Sequence, residues 1–199
     1  MIKLGAAELR KSASTLEEKA QIKKNPVYII LDNVLDTYNV GAIFRLAEAV
    51  AAERVYLCGM TETPPNSRIK KASINTTEWV AWSYASTAVE ALQEIKTSHF
   101  AKASRDKQIS NIQVIAVEQD PKSVPYNKVE YSFPIALVVG HETEGVSKEV
   151  LDMADQIVEI PMWGVNKSLN VMVSLGIVLF EVMKGVSGID SRTKKFIMI

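Results

Sequence analysis

IVEIPMWGVNKSLNVMVSLGIVLFEVM, residues 157–183, is the stretch on which the fold of this chain turns. A β-branched run enters a Pro-turn and a Gly loop. The polar group Asn166, Lys167, Ser168 and Asn170 then leads directly into a helical pattern over 170–184. Val171, Leu175, Val178, Leu179 and Val182 share one face of that helix, and Met172, Gly176, Phe180 and Met183 share a second. A helix apolar nearly all round needs cover on both sides. The second cover is either the monomer's own core or another subunit.

Working outward, the same strand-to-helix alternation recurs. The runs VYIIL (27–31), RVYLC (54–58), NIQVIAV (111–117), IALVV (135–139) and QIVEI (156–160) are mostly apolar throughout, which predicts strands buried on both faces. Helical patterns cover about 40–51, 87–97 and 147–154 as well, with Thr87 and Glu90 at capping-box spacing. Alternation of this kind predicts an α/β fold, a parallel sheet with helices on both faces. Residues 59–84 show turn residues and no period, and read as a long functional loop or irregular excursion. Up to Lys24 the chain reads as a short charged helix, with capping-box spacing at Ser14–Glu17 and at Thr15–Glu18, ended by Asn25-Pro26. The expected division is a helical extension (1–25), a main domain (26–185) and a tail (186–199).

Two further junctions carry candidate chemistry. In LDNVLDTYNVGAIFRLAEAV (31–50), Asn39 stands at the expected N-cap, ahead of an apolar stripe of Val40, Ile43, Phe44, Ala47 and Ala51. Arg45 lies on another face with Gly41 and Glu48. It either meets an anion at the strand ends or forms a surface pair with Glu48, and spacing alone favours the pair. In IALVVGHETEGVSKEVL (135–151), a buried strand enters a loop bracketed by Gly140 and Gly145, which permit close backbone approach and positive φ, and Ser147 caps the next helix. Open α/β sheets bind ligands in such a crevice. The loop carries Glu142 and Glu144 but neither a Walker-type lysine nor the dinucleotide glycine pattern.

Composition narrows the class. Of 199 residues, 47% are hydrophobic and 23% charged, as in a soluble globular domain, and no apolar run reaches membrane-spanning length. The amino end lacks a secretory apolar core, and the single cysteine, Cys58, permits no internal disulfide, so a cytoplasmic location is expected. One Cys with His99 and His141 far apart offers no zinc spacing, so no metal is expected. A net charge of zero and a pI near 6.8 lack the basic footprint of a nucleic-acid binder. The basic residues do cluster locally, at Lys19, Lys23 and Lys24, at Arg68, Lys70 and Lys71, and at Arg192, Lys194 and Lys195.

Together NVGAIFRLAEA (39–49), VVGHETEGVS (138–147) and IPMWGVNKSLNVMVSLGIVLFE (160–181) resemble, in order and spacing, the three signature motifs of the SpoU (TrmH-like) family within the SPOUT methyltransferases. RIKKASINTTEWVAW (68–82) is similar to the region between motifs one and two of guanosine ribose methylases. The resemblance spans about residues 26 to 185. It implies a carboxyl-terminal trefoil knot, which pattern alone does not show and which the usual rule of unknotted connections opposes. It further implies S-adenosyl-L-methionine held by backbone of motifs two and three, a homodimer formed through the knot region, and methyl transfer to a ribose 2′-hydroxyl of tRNA or rRNA.

By position, the cofactor is expected at Val139, Gly140, Ile160, Met162, Ser168 and Leu169. The family's catalytic positions fall on Asn39, Arg45, Glu142, Ser168 and Asn170, all of the expected types, and RNA contacts are expected from Arg45, Arg68, Lys70 and Lys71. Family accounts give Arg45 a base-like role. Because guanidinium stays protonated in proteins, the conservative role is to bind the adjacent phosphate and let that phosphate, or water, accept the proton. Two departures stand out: Ser-Leu-Gly at 174–176 replaces a run of small residues, and only the helix of 1–24 is available where a separate RNA-binding domain is often found. The alternatives are a base-methylating (N1-guanine) relative and a non-catalytic RNA-binding or assembly protein. The Asn39–Arg45 pair and the Ser-Leu-Asn of motif three favour ribose, and intact Arg45 and Asn170 favour an enzyme.

Overall fold

The strand β1 (Asn25–Asp32) shows why the apolar runs do not alternate. Val27, Ile29 and Leu31 are buried in one cluster, and Tyr28 and Ile30 in another on the opposite side of the sheet. The structure, a computed structural model, describes residues 5–9, 15–103 and 111–186. Its other strands are β2 (Ala52–Cys58), β3 (Trp82–Ala85), β4 (Gln113–Val117), β5 (Val124–Pro125), β6 (Ile135–Gly140) and β7 (Gln156–Glu159). They form one sheet in the order β3-β2-β1-β6-β4-β7-β5, with every pairing parallel. The chain builds outward from β1 to β3, then crosses to the other half, and β6 returns to separate β1 from β4. That reversal opens a crevice at the carboxyl ends of β1, β6 and β4. There Asp32 pairs with Cys58 on one side and Gly140 on the other.

Two short helices, α1 (Ala6–Leu9) and α2 (Leu16–Ala20), stand where a single charged helix is predicted. The Thr15–Glu18 capping box opens α2 as read, while Ser14 lies outside the described residues. One face of the sheet carries α3 (Thr37–Ala49), α4 (Ser67–Ser73) and α7 (Val171–Val182), and the other carries α5 (Ala88–Ala103) and α6 (Lys148–Met153). α3 and α4 pack closely because position 41 is glycine: a Cβ there would overlap the Ala72 side chain and the Ile69 carbonyl. The segment after β7 comes back over the ends of β4 and β6 before α7 packs beside α3, a path compatible with the expected carboxyl-terminal knot.

Three expectations are corrected. Asn39 is not the N-cap of α3. Asp36 holds that place, its carboxylate accepting from Tyr38 N–H at 2.8 Å, and Asn39 lies inside the helix. Residues 59–84 are not merely a loop, because they contain α4, a 3-10 turn at Thr76–Glu78 and the edge strand β3. Ser147 precedes α6 but makes no side-chain cap; its hydroxyl and N–H both go to Asp32, at 2.5 and 2.9 Å. Apart from Val186, the tail lies outside the described residues, as does the cluster at 192–195. Among the described residues no helix is long and apolar enough to cross a membrane.

Candidate active site

Three loops meet at the carboxyl ends of the central strands. The loop after β6 is a tight hairpin in which His141 and Gly145 exchange backbone hydrogen bonds of 3.0 and 2.9 Å. Gly145 sits at φ +74°, and a Cβ on Gly140 would overlap the Gly145 backbone, so the two glycines do what their spacing predicts. His141 Nδ1 accepts from Thr143 and Glu144 N–H at 3.0 and 3.2 Å, bracing the turn from within.

At the tip, Glu142 turns toward the start of α3. Its carboxylate accepts from Leu35 N–H, Asp36 N–H and the Asn39 side-chain amide, each at 3.0 Å. Partial burial alone would raise its pKa, but these donors, led by Leu35 N–H, outweigh it and hold Glu142 below the ordinary carboxylate value. Glu142 is therefore ionised at neutral pH, with three protein donors on its two oxygens. Asn39 also accepts from the Asn170 amide at 3.0 Å. Asn170 in turn caps α7, its Oδ1 accepting from Met172 and Val173 N–H at 3.0 and 3.4 Å. One polar chain thus ties the start of α7 to Asn39, to Glu142 and to the β1–α3 loop.

Beside this chain lies a cavity of about 450 Å³, within the ~300–1,000 Å³ usual for ligand sites. All six residues expected to hold a cofactor, Val139, Gly140, Ile160, Met162, Ser168 and Leu169, line it, as do Glu142 and Asn170. Ser168 donates its N–H and its hydroxyl to Asn166 Oδ1, both at 3.0 Å. Apolar walls (Val139, Val158, Ile160) face polar groups (Glu118, Asn166, Ser168), a donor set suited to an aromatic base joined to a hydroxylated, charged tail. Among the described residues no group of three or more His, Cys, Asp or Glu side chains is placed to hold a metal. Cys58 is buried, and burial pushes its thiol up to about 12, so it stays protonated.

The structure does not bring every predicted residue to the cavity. Arg45 is exposed on α3, six residues beyond Asn39, and lines none of its walls. It makes neither a hydrogen bond nor an ion pair with any described residue, so the pairing with Glu48 favoured by spacing is not formed. Arg68, Lys70 and Lys71 are exposed on α4, also apart from the cavity. Three carboxyl-end residues escaped the sequence reading: Asp32, which anchors Ser147, and the pair Glu118 and Gln119. Their signal was a polar residue closing an otherwise apolar strand.

The second face of α7 divides. Met172 and Met183 pack on the monomer core, and Gly176 faces Leu46 of α3. Phe180 is 53% exposed and Val173 38%. Residues 162–170 are exposed throughout, with Trp163 at 92%.

Comparison with known proteins gives a consistent picture. The SpoU rRNA Methylase family matches residues 26–180. The tRNA (guanosine(18)-2'-O)-methyltransferase of Aquifex aeolicus is 31% identical over 182 residues, covering 88% of this chain and 77% of that protein. The 23S rRNA (guanosine-2'-O-)-methyltransferase RlmB of Haemophilus influenzae is 32% identical over 170 residues, 85% of this chain and 64% of the relative. Among solved structures, the AdoMet-bound rRNA methyltransferase from Sinorhizobium meliloti superposes with a TM-score of 0.68 at 26% identity, over 90% of this chain and 61% of that one. The chain thus spans about three-quarters of the first protein and under two-thirds of the other two.

Proposed function

The chain belongs to the SpoU rRNA methylase family, and from that premise we propose that it transfers a methyl group from S-adenosyl-L-methionine to a ribose 2′-hydroxyl of tRNA or rRNA, with guanosine favoured. The observation that carries this reading is that motifs two and three line one cavity, while motif one is tied to both through Asn39, hydrogen-bonded to Glu142 and to Asn170. The proposed catalytic unit is residues 26–185, working in the cytoplasm. The base-methylating and non-catalytic alternatives find no support, since the Aquifex aeolicus and Haemophilus influenzae relatives are named as guanosine 2'-O-methyltransferases.

When bound, the cofactor supplies a methyl group already activated on a sulfonium. The residues of the cavity fit it, and their task is orientation: methyl transfer is an in-line displacement, so a fixed approach supplies much of the rate. Gly140 and Gly145 let the β6 hairpin fold tightly on itself and on Glu118, which fixes its backbone at the cavity wall. Asn39 and Asn170 hold the third motif against the second, so that Ser168 and Leu169 present a defined wall. Glu142, ionised and held by three protein donors, is a positioning group rather than the base. Arg45, whose guanidinium has no partner among the described residues, we assign to the phosphate next to the target ribose, where bidentate contact holds the nucleotide. The 2′-hydroxyl proton then passes to that phosphate or to water. Arg68, Lys70 and Lys71 are assigned to the RNA backbone farther out.

The function is proposed for a homodimer. Val173 and Phe180 on α7, and Trp163 and Val165 in the segment before it, are exposed apolar side chains, which a second copy would cover. Calorimetry in EDTA should detect one S-adenosyl-L-methionine site per chain, and mapping of 2′-O-methyl positions in RNA from a deletion strain should show one lost modification. No binding up to millimolar cofactor would overturn the assignment.

A further inference from the structure

Two consecutive residues at the end of β4, Glu118 and Gln119, have no part in the chemistry above, yet both line the cavity. The Glu118 carboxylate accepts from Val146 N–H at 2.9 Å and from Gln119 N–H at 2.8 Å. The β6 loop is seated directly on this side chain, because a Cβ at Gly145 would overlap its carboxylate. Glu118 N–H donates to the Val158 carbonyl at 3.0 Å, which fixes the pair against β7. Gln119 reaches the opposite wall, where its side-chain amide donates to the Lys167 carbonyl. Among the described residues, this is the one hydrogen bond that reaches residues 162–169 from outside that segment.

We propose that Glu118 and Gln119 form a clasp that sets the spacing of the two cofactor-binding loops, an inference that rests on the cofactor assignment above. Glu118 fixes the floor under Gly145 and Val146. Gln119 holds the exposed third-motif loop at the distance where Ser168 and Leu169 close the far wall. A loop with no other outside tether would have to be ordered by the ligand at each binding event, and that ordering subtracts from affinity. Both side chains are positioning residues acting through the loops they hold. Their loss falls on cofactor affinity and leaves the Asn39–Glu142–Asn170 chain intact.

The chemistry of each bond chooses the variants. Gln119→Leu removes the donor, and Gln119→Glu sets a carboxylate against a carbonyl. Gln119→Lys restores a donor of greater reach. Glu118→Gln keeps the shape but sets an amide NH2 against one of two N–H donors. Calorimetric titration with S-adenosyl-L-methionine should give affinities roughly five- to tenfold weaker for Gln119→Leu, Gln119→Glu and Glu118→Gln. Gln119→Lys should recover to within about twofold of wild type. Turnover at saturating cofactor should stay within about twofold for Gln119→Leu, so the loss appears in KM for the cofactor and not in kcat. Wild-type affinity in both Gln119→Leu and Gln119→Glu overturns the clasp. If the wild-type protein itself fails to bind, the cofactor assignment is what fails, and the clasp is then decided by hydrogen exchange on the ligand-free chain. Gln119→Leu should speed exchange across 162–170 while leaving β1 and β6 unchanged, and unchanged exchange in that loop overturns the proposal.

Discussion

Asn39→Asp is the sharpest perturbation of the chain that joins the three motifs. The change preserves volume and keeps the acceptor for Asn170, but it replaces the amide donor facing Glu142 with a carboxylate oxygen at the same 3.0 Å. Two unit charges at that distance repel by ~3–6 kcal/mol for an effective dielectric of about 20 to 40. Solvent around the exposed Glu142 screens this to about 2 kcal/mol, and the lost charge-assisted bond adds ~1.5 kcal/mol. Asn39→Ala loses both hydrogen bonds without adding a charge, at about 2 kcal/mol. The isosteric variant should therefore be less stable than the truncation at pH 8, by about 1–2 kcal/mol. The pH dependence follows from linkage. Two adjacent carboxylates raise the folded pKa of one above its unfolded value of roughly 4. The folded variant then binds a proton more readily than the unfolded chain, so its deficit against Asn39→Ala shrinks as pH falls from 8 to 5. Urea unfolding of both variants at pH 5, 6.5 and 8 tests this. If Asn39→Asp is at least as stable as Asn39→Ala at pH 8, or if the gap does not narrow toward pH 5, the reasoning from the Asn39–Glu142 contact is wrong.

Arg45→Ala should lower single-turnover methylation about 100-fold or more, ~3 kcal/mol of barrier, with cofactor affinity nearly unchanged and Arg45→Lys rescuing poorly; turnover within twofold of wild type would remove Arg45 from the mechanism. Phe180→Asp places a charge on the exposed side of α7 and should shift the sedimentation mass from about twice 22.0 kDa toward 22.0 kDa, whereas an unchanged dimer would place the interface elsewhere. Glu142→Gln should flatten the acid limb of the stability curve. The folded pKa of Glu142 is lowered, so its contribution is complete above the unfolded value of roughly 4.3 and disappears as pH falls through the folded one. Identical acid limbs in urea unfolding of the two proteins below about pH 4 would contradict this.

What could be read from the amino-acid sequence, and what could not, follows from which forces leave a local trace. β1 and β6 were legible because every position from Val27 to Asp32 and from Ile135 to Gly140 is buried, and burial on both faces writes a continuous apolar run. β3 was missed because Trp82, Ser83 and Tyr84 lie at the sheet edge and only Ala85 is buried. α4 was missed because Ile69 is its one buried apolar side chain, although its cap was readable: Asn66 accepts from Arg68 and Ile69 N–H at 2.9 and 3.2 Å. Asn39 failed differently. An Asn before an apolar stripe has the composition of a cap, but Asp36 already held that place, and the stripe begins a turn late because Asn39 itself points inward. Its partners lie 103 and 131 positions away, and periodicity reports only whether a residue faces a core, never which distant polar group waits there. The motif resemblance singles out Asn39 because it registers a pattern whose physical reason is long-range. That reason is now visible as a hydrogen-bonded chain in which the cap of α7, the interior of α3 and the tip of the β6 loop each supply one side chain. No single junction would orient the cavity wall alone, and so the three patterns carry far more meaning together than any one of them does by its own spacing.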